Sequence, residues 1–155
     1  MRNLLSISIG LIFLCVWIHN CNSSSPNNNQ NEESTIPDSL LIAQCIKNVF
    51  SIDDSLGSVR NHACETIALS QTISNYTSAL KKLDFKDCPE EFKKAFKDHW
   101  IAWDNMIPVV DNYPDLRGEM HDLFDQIEIG ADSSAFNIKL KAIWDTWAII
   151  EQNSK

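Results

Sequence analysis

The stretch DCPEEFKKAFKDHWIAWDNMIP, residues 87–108, is the clearest helix signal in the chain. Asp87 is a residue type that caps helices, Glu90 stands three positions later, and proline is favoured in a first helical turn. Apolar and aromatic side chains then recur every three or four positions, which is the period of one helix face. They are Phe92, Phe96, His99, Trp100, Trp103, Met106 and Ile107. Pro108 lacks a backbone donor, so we expect the helix to kink or end there.

The same period continues on both sides of this segment and shows no sustained alternation of the strand type. The predicted helices are separated by starts, turns and stops at Asp38, residues 53–58, Asp84, Pro114, Gly130 and Asp132. In this interpretation the first helix ends before the turn at residues 53–58, and a second, longer helix begins near Val59. Four or five helices with one apolar stripe each predict an all-α, up-and-down bundle over residues 38–155.

Composition limits the function classes. The 155 residues contain 13 Lys and Arg against 21 Asp and Glu, a formal charge of -8. So acidic a chain offers little positive surface to a phosphate backbone, and we therefore expect no nucleic-acid partner. The hydrophobic content of 44% is sufficient for one packed core. Seven acidic residues and only Arg117 fall between Asp104 and Glu128, whereas Lys93, Lys94 and Lys97 form a basic strip; we expect both to face solvent.

The first 37 residues have the organisation of an address followed by a linker. Residues 4–18, LLSISIGLIFLCVWI, are uncharged and follow Arg2. Such a run matches the apolar core of a signal peptide and is shorter than the roughly 20 residues of a membrane span. We therefore expect residues 1–20 to be a signal peptide. Residues 21–37 are polar and rich in Asn and Ser, which predicts a flexible linker.

Cys21 follows the apolar run almost at once, preceded by His19 and Asn20. This segment resembles a bacterial lipoprotein signal of the loose, spirochaete-like kind, although the usual signal has a small residue immediately before the cysteine. The resemblance implies that Cys21 receives diacylglycerol, becomes the first residue of the mature chain and anchors it to a membrane of the cell envelope through acyl chains such as palmitate. The alternative is ordinary cleavage within residues 21–24, which gives a secreted protein.

Three further cysteines, Cys45, Cys64 and Cys88, belong to the predicted domain. Exported proteins meet oxidising conditions in which cysteines pair. If residues 53–58 are the turn of a helical hairpin, Cys45 and Cys64 are equidistant from it and lie at the same height. This register predicts a Cys45–Cys64 disulfide and leaves Cys88 as a single thiol. A Cys64–Cys88 bridge is the alternative.

Two tryptophan pairs of the same form suggest a binding site. They are Trp100 with Trp103, and Trp144 with Trp147. A spacing of three places both rings of a pair on one helix face. If the two helices are neighbours, the rings can wall a pocket for a flat apolar or cationic ligand, with His99 beside them. The alternative is that the rings fill the core and that His99 is a hydrogen-bonded core residue.

Sequence motifs for catalysis are missing: there is no C-x-x-C, H-E-x-x-H, G-x-S-x-G or P-loop pattern. No histidine of the domain has a glutamate three positions before it, as a di-iron bundle requires. We therefore expect no catalytic residue, cofactor or metal. The first hypothesis is a lipid-anchored envelope protein with a non-enzymatic binding or structural domain and a protein or small-molecule partner. The alternatives are a secreted or periplasmic carrier that uses the tryptophan pocket, and an enzyme without a recognisable motif.

Overall fold

The computed structural model describes residues 37–155, and its regular elements in that range are all helical. The helices are α1 Asp38–Ala63, α2 Leu69–Leu80, α3 Glu90–Asp104, α4 Ile107–Val110, α5 Met120–Glu128 and α6 Ser133–Gln152. Helix α4 is a single turn, and the other five confirm the predicted all-α bundle. The predicted signal peptide, the acylated Cys21 and the linker up to residue 36 lie outside the described residues.

Helices α1, α2, α3 and α6 alternate in direction. Midway along α1, Phe50 contacts both Phe92 of α3 and Trp147 of α6. Further along α1, Arg60 contacts Trp103, eleven positions after Phe92, so α1 and α3 run the same way. Helix α6 runs antiparallel to both, because its end at Ile150 packs with Phe92 whereas its beginning packs near α5. This order brings α3 and α6, which carry the two tryptophan pairs, into direct contact.

The core has two parts. One surrounds a group of four rings that we call the phenylalanine cluster: Phe50, Phe85, Phe92 and Phe96, whose neighbouring centroids are 5.1–6.2 Å apart. Ile150 of α6 closes this cluster from the other side. The larger part joins α2, the end of α3, α4 and α5 through Leu69, Ile73, Leu80, Met106 and Leu123, all fully buried. The stripe that residues 87–108 predict is therefore the centre of the bundle.

The predicted turn at residues 53–58 was wrong, because α1 continues through it to Ala63. Local preference favours a turn at Asp53 and Gly57, and a glycine inside a helix costs about 1 kcal/mol. Tertiary contacts outweigh that preference: Asp53 is buried and bonded to α2, and Leu56 packs on the core. The chain turns instead at residues 64–68, about ten positions later.

The predicted Cys45–Cys64 disulfide was wrong for the same reason. Cys45 pairs with Cys88, with Cα atoms 5.4 Å apart, and Cys64, the remaining cysteine of residues 37–155, is a fully buried thiol. With the turn centred near residue 66, Cys45 is level with the chain near residue 87, where the segment after α2 has returned to the beginning of α1. Counting positions from residue 66 instead of from residues 53–58 therefore gives the observed pair. The Cys64–Cys88 alternative was wrong as well.

Two helix starts differ from the sequence signals, and one helix end agrees with them. Helix α3 starts at Glu90 with Pro89 as its N-cap, and no side chain caps it, so Asp87 does not have the predicted role. Helix α5 starts at Met120 and not at Pro114, with the Glu119 side chain accepting a hydrogen bond from the backbone N–H of His121. The prediction at Pro108 is confirmed: α3 ends at Asp104, and the proline stands in the first turn of α4.

Candidate functional site

A cleft of about 470 Å³ opens between α1 and α6, with α2 and α3 beneath it. Its walls combine tryptophan rings with charged and polar side chains from the middle of α1, and we call it the aromatic cleft. The principal lining residues are Asp53, Arg60, Tyr76, His99, Trp103, Trp144 and Trp147. These seven residues come from four different helices, so only the folded bundle assembles the site.

Arg60 lies across two rings of the cleft floor. Its guanidinium carbon is 4.5 Å from the centroid of Tyr76 and 4.2 Å from that of Trp103, within the range of cation–π attraction. Its Nε and one terminal nitrogen donate to Oδ1 of Asn61 at 3.2 and 3.0 Å. Burial lowers the pKa of Arg60, while the nearby Asp53 and Tyr76 oppose that change. The cleft therefore contains a cation that already occupies the electron-rich faces of two aromatic residues.

Asp53 supplies the opposite charge. Only 7% of the residue is exposed, and its Oδ1 accepts a 2.7 Å hydrogen bond from the Tyr76 hydroxyl. Burial raises the pKa of Asp53, although the Tyr76 hydrogen bond and the Arg60 charge act against this. Burial and the neighbouring carboxylate also raise the pKa of Tyr76, so its phenol stays protonated and donates. Buried charged groups cost stability unless they are paired, so these residues are an unusual choice for a core position.

His99 is held as a neutral ring with a defined tautomer. Its Nε2 accepts from the indole N–H of Trp103 at 3.1 Å, and its Nδ1 lies 2.9 Å from the hydroxyl of Thr146. The Thr146 hydroxyl donates its own hydrogen to the carbonyls of Ala142 and Ile143. Its oxygen therefore accepts a hydrogen bond from the protonated Nδ1 of His99. Burial and then the Arg60 charge lower the pKa of His99 to about 4. Both ring nitrogens are engaged, as predicted for a hydrogen-bonded core histidine.

The structure brings four of the five candidate ligand-contacting residues into this cleft: His99, Trp103, Trp144 and Trp147. Trp103 is buried in the floor, whereas Trp144 leaves 59% of its surface exposed at the rim. Trp147 is half-buried, and its ring centroid is 5.5 Å from that of His99. Trp100 is elsewhere, on the other side of α3 beside Phe85. The two rings of the first pair therefore do not share a face, because one α3 residue packs toward α1 and α6 and the other toward the segment after α2.

Asp53 and Arg60 line the aromatic cleft but were not predicted as site residues. Both fall on the continuation of the first apolar stripe, since Cys45, Val49, Asp53, Leu56 and Arg60 succeed one another at intervals of three and four. Such spacing would have identified them as inward-facing, but the turn assigned to residues 53–58 interrupted the pattern. Arg60 is also the one basic residue between Lys47 and Lys81, which is a weak signal of a special position.

Comparisons with known proteins add nothing to this geometry, because no protein-family model, curated protein or solved structure matches the chain. Residues 37–155 contain no group of three or more His, Cys, Asp or Glu side chains arranged to hold a metal ion. Within the same range, none of the helices has the length and apolar character required to cross a membrane. Function is therefore argued from the aromatic cleft itself.

Proposed function

We propose that this protein is a lipid-anchored envelope protein whose helical domain binds a small, flat ligand without catalysing a reaction. The observation that carries the proposal is the aromatic cleft, which joins an exposed tryptophan ring to a buried Asp53 and a half-buried Arg60. Sites for small ligands have this character: apolar, aromatic walls with a few polar groups that fix orientation. The attachment through Cys21 rests on the sequence resemblance alone.

The contacts of Arg60 define the kind of ligand. Because Arg60 covers Tyr76 and Trp103, a cationic ligand would have to displace it and would be repelled by its charge. The free ring surface is that of Trp144, which has no aromatic partner among the described residues. A neutral planar ring stacked on Trp144 would have its polar edge toward Arg60 and Asp53, which offer a donor and an acceptor. We therefore favour an uncharged aromatic ligand over a cationic one.

The state of His99 favours binding over catalysis. A general base needs a ring nitrogen within reach of the substrate, but both nitrogens of His99 are bonded to Thr146 and Trp103. Its lowered pKa, about 4, also places proton exchange well below neutral pH. The histidine supports the Trp103 ring in the cleft floor.

Tryptophan fluorescence and native mass spectrometry can test ligand binding. The full chain would be screened against neutral planar aromatic compounds and, in parallel, against quaternary ammonium compounds. We expect neutral rings to quench the fluorescence with a saturable curve and to appear as a 1:1 complex. Trp144→Ala should weaken this binding about tenfold, and loss of one stacked ring is worth roughly 1 to 1.5 kcal/mol.

Trp100→Ala is the matched control, because Trp100 also belongs to a pair but lies outside the cleft. It should leave the affinity unchanged. Equal losses in both variants would show that the effect is structural. If neither compound class binds, the cleft is not a ligand site and the domain has a structural role.

Membrane attachment is tested separately in the bacterial host. The wild-type chain should partition into the detergent phase and carry the mass of acyl chains on Cys21. Cys21→Ser should remove both properties, because stable anchoring requires covalent acyl chains. A wild-type chain that is secreted and free of lipid would contradict the anchor and leave the ligand site to be judged by its own experiment.

A further inference from the structure

The positive charge of the domain is concentrated in one short part of the chain. Residues 81–97 contain six lysines, and every one of them is exposed: Lys81, Lys82, Lys86, Lys93, Lys94 and Lys97. Four acidic residues, Asp84, Asp87, Glu90 and Glu91, occupy the same stretch. Residues 98–155 have the opposite balance, with eleven acidic residues and four basic ones. The sequence as a whole is acidic, but its charge is divided between two regions of opposite sign.

Five of these lysines line one groove between α3 and the segment that precedes it, and we call it the lysine groove. Its volume is about 820 Å³, Phe85 and Trp100 supply most of its apolar surface, and the five lysines outnumber the three carboxylates that share its lining, those of Asp84, Glu90 and Glu91. Lys81 and Lys94 bond to Asp104 and Asp98 at 2.7 and 2.8 Å. Lys86 and Lys97 have no carboxylate within 4 Å among the described residues. The groove therefore offers ammonium groups whose charge is not compensated by a close partner.

One end of the lysine groove lies where the preceding chain joins the bundle, and the groove continues along α3 to Lys81, which bonds to Asp104 at the last residue of that helix. The Cys45–Cys88 disulfide holds the segment after α2 against the beginning of α1. Asp38, the first residue of α1, shares a surface depression with Lys86, which also lines the lysine groove. The described part of the chain therefore begins beside this end of the groove.

The acidic helix α5 lies at the opposite end of α1. The backbone N–H of Gly118, just before α5, donates to the carbonyl of Cys64, just after α1 ends. A helix of 26 residues such as α1 is about 40 Å long. The attachment point and the acidic end are thus separated by most of the length of the bundle.

We infer that the lysine groove rests on the anionic lipid headgroups of the membrane to which the chain is attached, an inference that depends on the anchor proposed at Cys21. The sixteen residue-to-residue steps from Cys21 to Pro37 span at most about 55 Å, so an anchored domain stays close to the surface. Each lysine near an anionic leaflet adds roughly fivefold to binding. Repulsion of the acidic α5 end favours the same orientation.

Lysine acetylation on vesicles tests this orientation with the mature, acylated protein. The chain would be reconstituted into vesicles of phosphatidylcholine alone and of phosphatidylcholine with phosphatidylglycerol, and the rate at each lysine followed by mass spectrometry. On anionic vesicles we expect Lys86, Lys93 and Lys97 to react about fivefold more slowly. Lys139 and Lys141, in the first half of α6, should react equally on both. Salt at 1 M should abolish the protection, because screening then acts over about 3 Å.

Equal rates at Lys86 and Lys97 on the two vesicle types would overturn the inference, as would uniform protection of all lysines. Protection by inorganic phosphate on neutral vesicles, at matched ionic strength, would assign the groove to a soluble anion and overturn it too. The double variant Lys93→Gln/Lys97→Gln should lose the protection of Lys86, whereas Lys139→Gln/Lys141→Gln should retain it. Failure of the Cys21 anchor is distinguishable, because an unacylated chain does not float with neutral vesicles at all.

Discussion

The phenylalanine cluster and the aromatic cleft are both built from rings of α3 and its neighbours, yet they differ in every other respect. The phenylalanine cluster contains apolar side chains and is closed by the Cys45–Cys88 disulfide. The aromatic cleft places Asp53, Arg60 and His99 among its rings and opens to solvent at Trp144. Adjacent segments of one helix thus serve two purposes.

This difference indicates where the fold is maintained and where a ligand is accommodated. Apolar packing and the disulfide stabilise the phenylalanine cluster, and replacing its rings with polar groups would only reduce stability. Buried charges rarely improve stability over apolar side chains of the same size, so their presence in the aromatic cleft points to a role beyond folding. The following substitutions separate the two regions by their effects.

The largest loss is expected in the phenylalanine cluster. Phe92 is fully buried and contacts Phe50 and Phe96, so Phe92→Ala removes a ring and leaves a cavity. We expect the free energy of unfolding to fall by about 4 kcal/mol. Urea denaturation followed by circular dichroism measures this change. A loss below about 1 kcal/mol would show that this cluster is not the centre of stability.

Removing the disulfide should cost slightly less. The double variant Cys45→Ala/Cys88→Ala opens a loop of 43 residues, and we expect a loss of about 3 kcal/mol. The ligand affinity of the folded fraction should persist, because the aromatic cleft lies further along α1. Peptide mapping of the unreduced wild type should recover Cys45 linked to Cys88 and Cys64 as a thiol. A disulfide that includes Cys64 would contradict the structure.

The aromatic cleft should instead affect how the free energy of unfolding depends on pH. His99 is neutral in the folded chain with a pKa of about 4, whereas an unfolded histidine has its ordinary pKa of 6.5. The unfolded state therefore binds more protons between these values, and stability is complete above pH 6.5 and falls as the pH decreases toward 4. The decrease should reach about 2 to 3 kcal/mol. Urea midpoints between pH 7 and 4.5 measure it.

His99→Gln is the control for this pH dependence. Asp53, whose pKa is raised, contributes with the opposite sign at the acidic end, so only the difference between wild type and variant isolates His99. The variant should be less stable at pH 7 but show a flatter decline. Parallel curves for the two proteins would mean that His99 is not the titrating group.

A smaller effect is expected from the hydroxyl of Tyr76. Tyr76→Phe keeps the ring under Arg60 and removes the donor to Asp53, which should cost about 2 kcal/mol at pH 7. The pKa of Asp53 should then rise further, so the cost should diminish as the pH falls. In an Asp53→Asn background the same substitution should cost less, and this double-mutant cycle measures the coupling. Equal costs in both backgrounds would contradict a specific hydrogen bond.

The contrast between the two regions also explains what the sequence could predict. The stripe from Phe92 to Met106 is apolar and strictly periodic, and it identified both the helix and its buried face. The aromatic pattern likewise identified Trp144, Trp147 and His99 as neighbours, because α3 and α6 are in contact. Periodic apolar patterns are informative where burial alone determines the position of a residue.

Local sequence patterns could not predict the continuation of α1, the disulfide or the separation of Trp100 from Trp103. Asp53 and Gly57 favour a turn, and only the distant Tyr76 hydroxyl explains why α1 continues through them. The wrong disulfide prediction followed from the wrong turn, because the position of the turn determines which cysteines lie at the same height along a helical hairpin. The split between Trp100 and Trp103 depends on which neighbours α3 acquires on each side, and a spacing of three does not determine it.

The smallest effect on stability is expected at Trp144, and it distinguishes the two regions most directly. Trp144 is 59% exposed and has no described aromatic partner, so Trp144→Ala should change the free energy of unfolding by no more than about 0.5 kcal/mol. A large exposed ring that contributes nothing to folding is the expected property of a contact surface. The same urea experiment as for Phe92→Ala measures the change, and a loss above about 2 kcal/mol would mean that Trp144 packs as a core residue and that the rim of the cleft is closed in solution.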